Sequence, residues 1–430
     1  MKVTKDKTEN CQAFLTIEME PAEVEESMEK SYSHLVKETN IPGFRKGKAP
    51  RTVLEQHIGK EKLFEGSLNN LIPKAYEKAL EEQKIEPIAR SSIEVVQTDP
   101  VIFKAIVPLR PMVKLGDYHT IKATPDPVQL TEDDTTAMVE QLRHRQAVWE
   151  PVARPVDFGD LVVIEIESNI DGVPFVNQKV TQYQVLRDLT FPAPGFAEQL
   201  VGMKKSEEKE FKLPLPSDYP ESELAGKEPW FKIKVGEIKQ EILPELNDDF
   251  AKGINPDFKT LDSLRERVSI DLKHKVEENA KIDFEERVIG ELVNLAEIEF
   301  PPILTEMEID WLISQQLKRW QMIGKGLEDY LRSVNKTEEE LREELRPLAT
   351  RRVTQSLALG ELAEEEKIEV NDSEVNTEID NILKSATENK DELQKSLNTP
   401  RARQSIKQSL ITQKTIQRLV EIASEKTGNK

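Results

Sequence analysis

Leu264, Val268, Leu272, Val276, Ala280, Phe284 and Val288 recur at every fourth position through a stretch otherwise crowded with charge. On a helix of 3.6 residues per turn that spacing keeps side chains close to one line, so it predicts a long helix with a single narrow apolar seam. Such a seam encloses no core of its own and has to be met by other helices. The same texture continues downstream. Pro301 and Pro302 end one segment and start a helix holding Met307, Trp311, Leu317 and Trp320, and Thr337 with Glu340 forms a capping box for another, with a kink expected at Pro347. Further helices follow Asp372 and Pro400. Nothing repeats at a fixed period, which argues against a solenoid.

Upstream of Pro244 the pattern changes. Between Pro151 and about Lys239, short β segments (Leu161 to Ile166, Val180 to Leu186, Glu208 to Leu213, Trp230 to Ile238) alternate with proline and glycine, as in a small antiparallel domain. Earlier, Cys11, Ala13, Leu15, Ile17 and Met19 alternate with polar residues and predict a half-buried strand. Val24, Met28, Tyr32 and Leu35 then follow helical spacing after Pro21, and a second helical pattern runs through Val53, Leu63, Leu68, Leu71, Ile72 and Ala75. A hairpin of Ser92 to Gln97 with Val101 to Leu109 closes an α+β unit near residue 112. Pro125 and Pro127 interrupt the chain before a helix from Thr131 to Trp149, capped by Thr131 with Asp134. The expected class is multidomain α+β, with boundaries at 1–112, 113–149 (a linker with a helix), 150–243 and 244–430.

The segment GFRKGKAPR, residues 43–51, lies between the first two helical patterns and places Arg45, Lys46, Lys48 and Arg51 in nine positions with no acid. The whole chain carries a formal net charge of -20. Two glycines and a proline allow a sharp turn, and Phe44 supplies an apolar tip, so the composition describes an exposed basic hook suited to phosphate, base or acidic protein surfaces. A merely solvated, charge-rich turn is the alternative. The acidic balance excludes nucleic-acid binding over the whole surface and confines any RNA contact to a local site.

GFRKGKAP resembles the ribosome-docking signature of the trigger factor family, bacterial chaperones for nascent chains. By that resemblance Gly43, Phe44, Arg45, Lys46, Gly47, Lys48 and Pro50 dock the chain to the large subunit, at a protein of the tunnel exit and neighbouring rRNA, with Phe44 and Arg45 as the centre. Residues 160–238 resemble the FKBP-type prolyl isomerase domain of the same family, through Gly159-Asp160, Asp171-Gly172, Pro194-Gly195-Phe196, Gly202 and Tyr219. Phe175, Tyr183, Phe196, Tyr219 and Phe231 would then line an apolar prolyl pocket, for which ordinary core packing is the competing reading. Ile166, Val176 and Ala193 depart from the FKBP pattern and imply a wider, less tuned pocket.

The implied protein has an N-terminal α+β ribosome-binding domain, an FKBP-like antiparallel β domain and an all-α C-terminal chaperone domain. Met307, Trp311, Trp320 and Met322 are candidate contacts for nascent polypeptides, with helix-on-helix packing as the alternative for each. A free-standing prolyl isomerase with substrate-selecting flanks, or an adaptor gripping an acidic partner with the hook, are the rival functions. The single cysteine excludes an intrachain disulfide framework, and five scattered histidines lack ligand spacing, so no metal is expected. GxxxxGK[ST] is absent, so neither a nucleotide nor another cofactor is expected. MKVTKDKTENC has no apolar leader core and no run of 18 apolar residues occurs, so a cytoplasmic, partly ribosome-bound protein without membrane contact is expected. Pairing of free copies into a homodimer is a further association the sequence allows.

Overall fold

The computed structural model describes the chain except residues 171, 172, 217–225, 323, 335, 386–388 and 426–430; for 173–179, 319, 333, 334 and 425 it describes the backbone alone. Two compact units emerge: Met1–Asp126 together with Lys281–Lys430, and Pro127–Ala280.

In the first unit, strands β1 (Lys2–Glu9) and β2 (Gln12–Glu18) form a hairpin turned by Asn10 and Cys11, whose φ angles are 50° and 49°. β1 was not legible in the apolar pattern, because Val3 is the sole apolar residue among its eight, and Cys11 belongs to the turn rather than to the strand. Helices α1 (Pro21–Glu38), α2 (Arg51–Ile58) and α3 (Lys60–Gln83) follow, then β3 (Ser92–Thr98) and β4 (Val101–Pro108). The antiparallel order is β1-β2-β4-β3. Ala13, Leu15 and Ile17 of β2 and Phe103, Ala105 and Val107 of β4 form one core with Leu71, Ala75 and Ala79 of α3.

α1 lies against α3 through residues that its apolar spacing does not mark. Val24, Met28, Tyr32 and Leu35 are only half-buried, while Ser27 and Ser31 are buried. Ser27 Oγ donates to the Ser67 carbonyl at 2.9 Å and Ser31 Oγ to that of Leu63 at 3.4 Å. At Gly66 a Cβ would come within 2.8 Å of Ser31 Oγ, so the two helices meet where side chains are smallest. The single helical pattern expected from Val53 to Ala75 is two helices, divided at Gly59 with φ of +87°.

β5 (Met112–Lys114) completes this part of the first unit. The second unit opens with α4 (Glu132–Arg145), and the Thr131/Asp134 capping box is formed. α4 stops short of Trp149: residues Val148–Pro151 are β6, which pairs with the far end of a later strand because Val148 and Trp149 prefer extended backbone. β7 (Leu161–Ile170), β8 (Val173–Gln184), α5 (Phe196–Leu200), β9 (Glu208–Lys212) and β10 (Trp230–Ile242) give an antiparallel sheet ordered β6-β10-β7-β8, with β9 also on β10. α6 (Asp248–Ile254) and the start of α7 (Leu261–Leu295) pack Phe250, Ala251, Leu264 and Val268 around Val139 of α4.

The apolar seam of α7 is therefore shared between the units. Its second half, Phe284, Val288, Ile289 and Leu292, belongs to the first unit and packs with Tyr118 and Ile121. Val276 and Ala280, in between, are half-buried. β11 (Glu297–Glu299) pairs with β5, and α8 (Ile303–Gln321), α9 (Leu327–Val334), α10 (Glu338–Glu365), α11 (Asp372–Ser385), α12 (Lys390–Leu397) and α13 (Pro400–Glu425) follow. Thr337 and Glu340 form their capping box, and α10 runs through Pro347 as one helix. Ile309, Leu312 and Ile313 of α8 pack on Leu341, Leu345 and Ala349 of α10, and Leu359 and Leu362 meet Leu419 and Ile422 of α13.

Candidate functional site

Gly43 and Gly47, with φ of +86° and +80°, turn the basic segment back on itself in a conformation open to glycine at little cost. The Lys48 amide donates to the Arg45 carbonyl at 2.9 Å, which closes the tip, and the Gly47 amide donates to the Val36 carbonyl of α1 at 3.0 Å. Tyr32 Oη donates to the Ala49 carbonyl at 2.8 Å. Below these bonds Ile41, Ala49 and Leu54 are buried against Val36. Pro50 precedes α2 as its N-cap residue. The base of the loop is thus packed and the tip is open.

Phe44 leaves 42% of its surface exposed at that tip. Arg45, Lys46 and Lys48 are exposed, and among the described residues their side chains make no ion pair or hydrogen bond. Arg51 behaves differently from the outward cation its sequence position suggests. It pairs with Glu25, with Glu29 at 2.7 Å and through Nε with Glu55 at 2.9 Å, so its charge is spent clamping α2 to α1. Those contacts, Glu25 foremost, hold its guanidinium more firmly protonated than usual.

In the second unit Tyr183, Phe196 and Phe231 come together. Phe196 meets Tyr183 edge-on at 5.2 Å between ring centroids and Phe231 at 5.3 Å. Phe211, a residue the FKBP resemblance did not flag, stacks on Phe231 at 5.7 Å; its alternation with Leu213, just past the end of β9, was the available signal. Phe196 and Phe231 are 0% exposed and Tyr183 nearly so, which makes them the packed interior of this sheet rather than an open lining. Ile166 and Ala193 are buried in the same core. Tyr183 Oη donates to the Phe191 carbonyl at 3.0 Å, and burial pushes its phenol pKa up to about 12, so it stays a neutral donor. Phe191 itself is well exposed beside that bond. The side chains of Phe175 and Val176, and all of Tyr219, lie outside the described residues.

The four helical candidates divide into two groups. At about 100° per residue Met307, Trp311 and Met322 fall within roughly 60° of one another, opposite the buried Ile309 and Ile313. All three are exposed, Met322 by 87%. Arg352 lies over the Trp311 ring at 4.5 Å. Trp320 points elsewhere: it is half-buried and packs edge-on against Tyr330 at 5.6 Å, so it serves helix packing.

An α+β domain with an exposed cationic loop, an antiparallel β domain and a helical remainder define a multidomain architecture of the trigger factor type. Residues 1–142 match the family model described as "Bacterial trigger factor protein (TF)", and residues 260–421 match its C-terminal counterpart. The chain is 42% identical over 424 residues to the trigger factor of Dehalococcoides mccartyi, covering 98% of this chain and 95% of the relative. It is 34% identical over 425 residues to that of Halothermothrix orenii, covering 98% and 99%. A solved structure from work titled "Promiscuous Substrate Recognition in Folding and Assembly Activities of the Trigger Factor Chaperone" has the same fold, with a TM-score of 0.50 and 24% identity over 98% of this chain and 99% of that one. The chain belongs to the bacterial trigger factor family. Among the described residues no helix is long and apolar enough to cross a membrane.

Proposed function

We propose that this chain is an ATP-independent chaperone that docks beside the ribosomal exit tunnel, holds nascent chains open for folding or export, and carries a prolyl isomerase activity in its middle domain. The observation that carries docking is the loop tip: an exposed benzyl ring and three cations without partners among the described residues, held on a packed base. Such a tip offers Phe44 to a shallow apolar socket and Arg45, Lys46 and Lys48 to carboxylates or phosphates. Docking raises the effective concentration of client at the chaperone, so weak client contacts suffice. Residues 1–112 would then dock, 150–243 isomerise and 244–430 hold clients, in a cytoplasmic protein partly bound to ribosomes. The test is co-sedimentation with ribosomes. Phe44, Arg45 and Lys46 replaced together by alanine should abolish it, and unchanged co-sedimentation overturns the proposal.

Client contact is supported by the exposed stripe of Met307, Trp311 and Met322, since adaptable thioether and indole surfaces bind many sequences weakly. For the isomerase, the rotation barrier of about 18–20 kcal/mol reflects amide resonance lost in the twisted state. A dry aromatic site disfavours the polar planar amide relative to the twisted one, and about 1.4 kcal/mol of such preference gives tenfold in rate without nucleophile or proton shuttle. The enclosed Phe196 and Phe231 act here as the rigid apolar backing, while exposed Phe191 is assigned to the mouth. Turnover of a prolyl tetrapeptide by the intact chain tests this, and a rate equal to the uncatalysed one refutes it.

A further inference from the structure

The chain from Val185 to Phe196 is fixed at both ends and carries an aromatic ring in the open between them. At its start Val185 is buried; its amide donates to the Asp160 carbonyl at 2.8 Å, and its carbonyl accepts from the Gly159 amide at 2.8 Å. At its end Pro192 and Ala193 are buried, and the Phe196 amide donates to the Ala193 carbonyl at 3.1 Å as α5 begins. Phe191, next to buried Pro192, is 57% exposed, and Leu186 at the near end is 42% exposed. Two large apolar side chains thus face solvent on one short loop of the middle domain.

Among the described residues, the backbone of 190–192 has a single hydrogen-bond partner, the Tyr183 hydroxyl at the Phe191 carbonyl. The ring of Tyr183 packs edge-on against Phe196 inside the core, as a phenylalanine there would. Its hydroxyl is an added group. Enclosed as it is, that group has to find an acceptor, and the acceptor lies on the loop rather than on the sheet. One bond thereby ties the exposed Phe191 to the rigid aromatic interior.

We propose that Tyr183 is a positioning residue for prolyl turnover: its hydroxyl holds Phe191 at the rim of the aromatic core, where the Phe191 ring meets an apolar side chain next to the client's proline. This rests on the isomerase activity proposed above and assigns a preference within it. The contact lies beside the rotating amide and not on it, so it is made equally in the planar and twisted states. It therefore lowers KM without raising kcat. A loop freed of the tether has to be ordered by each substrate, which weakens binding.

The experiment measures kcat and KM of the intact chain on tetrapeptides Ala-X-Pro-Phe, with X phenylalanine, leucine or alanine, beside the variants Tyr183→Phe, Phe191→Ala and Phe191→Leu. Circular dichroism confirms that each is folded. Tyr183→Phe should raise KM about fivefold for X of phenylalanine or leucine and less than about twofold for alanine, with kcat falling less than about twofold throughout. Phe191→Ala should do the same, Phe191→Leu should keep most of the preference, and Tyr183→Phe added to Phe191→Ala should raise KM by less than about twofold more. Phe191 is exposed, so its variants test the rim even where Tyr183→Phe loosens the core. In Tyr183→Phe, an unchanged KM, or a loss equal for every X and carried by kcat, overturns the positioning role. Phe191→Ala that keeps the preference overturns the rim assignment. Absence of turnover by the intact chain overturns the isomerase reading and this one with it, whereas normal turnover with either preceding result overturns this one alone.

Discussion

Replacing Arg51 by alanine separates cations that face outward from one that holds the loop. Arg51 contacts Glu25, Glu29 and Glu55, and its own side chain and that of Glu55 are 22% and 15% exposed. Glu25 and Glu29 are more than half exposed, so their pairings add at most about 1 kcal/mol together, whereas the enclosed bond to Glu55 is worth about 1.5 kcal/mol. The substitution should therefore cost roughly 2 kcal/mol of N-terminal stability, part of it from carboxylates left facing one another. Urea unfolding followed by hydrogen exchange at residues 31–58 measures that loss, and Glu25→Gln with Glu29→Gln should restore part of it. In ribosome binding the Arg51 variant should weaken affinity while leaving the logarithmic salt slope unchanged. Lys46→Ala should do the converse, with stability intact and the slope lowered by at most about 0.9. An Arg51 variant of normal stability whose slope falls like that of Lys46 would refute the clamp.

Other outcomes follow from local geometry. Gly66→Ala should destabilise the α1–α3 contact, yet in a Ser31→Ala background it should become neutral or stabilising by up to about 1 kcal/mol, since the opposing Oγ is gone and alanine favours helix; chemical denaturation of the four species gives the coupling. Phe196→Ala should cost about 3–5 kcal/mol and unfold the middle domain before any effect on turnover can be read, as circular dichroism melting would show. Glu366 accepts from Arg418 Nε at 2.9 Å and Tyr118 Oη at 2.9 Å, and Arg418 foremost holds its pKa below the usual glutamate range. A depressed carboxylate stabilises fully above about pH 4.3 and loses that contribution as pH falls through its folded value, so Glu366→Gln should lower stability at pH 7 and flatten the acid limb of a stability–pH curve.

Elements with strong periodic or capping signals were legible beforehand: the strand through Leu15 and Ile17, the hairpin around Asp99, the boxes at Thr131 and Thr337, and the seam of α7. β1 was not, because an edge strand exposed on both sides needs no apolar alternation. Ser27 and Ser31 were missed for a related reason: hydrophobic patterning marks bulk, whereas closely approaching helices select small side chains that hydrogen-bond across the contact. In the loop, Phe44, Arg45, Lys46 and Lys48 lie where their composition put them, but Arg51 looked identical in sequence and is claimed by acids 22 and 26 residues away. No local rule exposes such a partner. Trp320 was grouped with Trp311 by residue type, although nine positions on a helix turn the two toward different neighbours.

The first unit is discontinuous, its halves separated by residues 127–280 and its core around Tyr118 and Ile121 closed by α13. During synthesis that core waits for some three hundred further residues, roughly 15–60 s at about 5–20 residues per second. Phe284, Val288 and Leu292 of α7 are made partway through that interval, but the apolar surface around Tyr118 and Ile121 stays open to water until Leu419 and Ile422 of α13 follow.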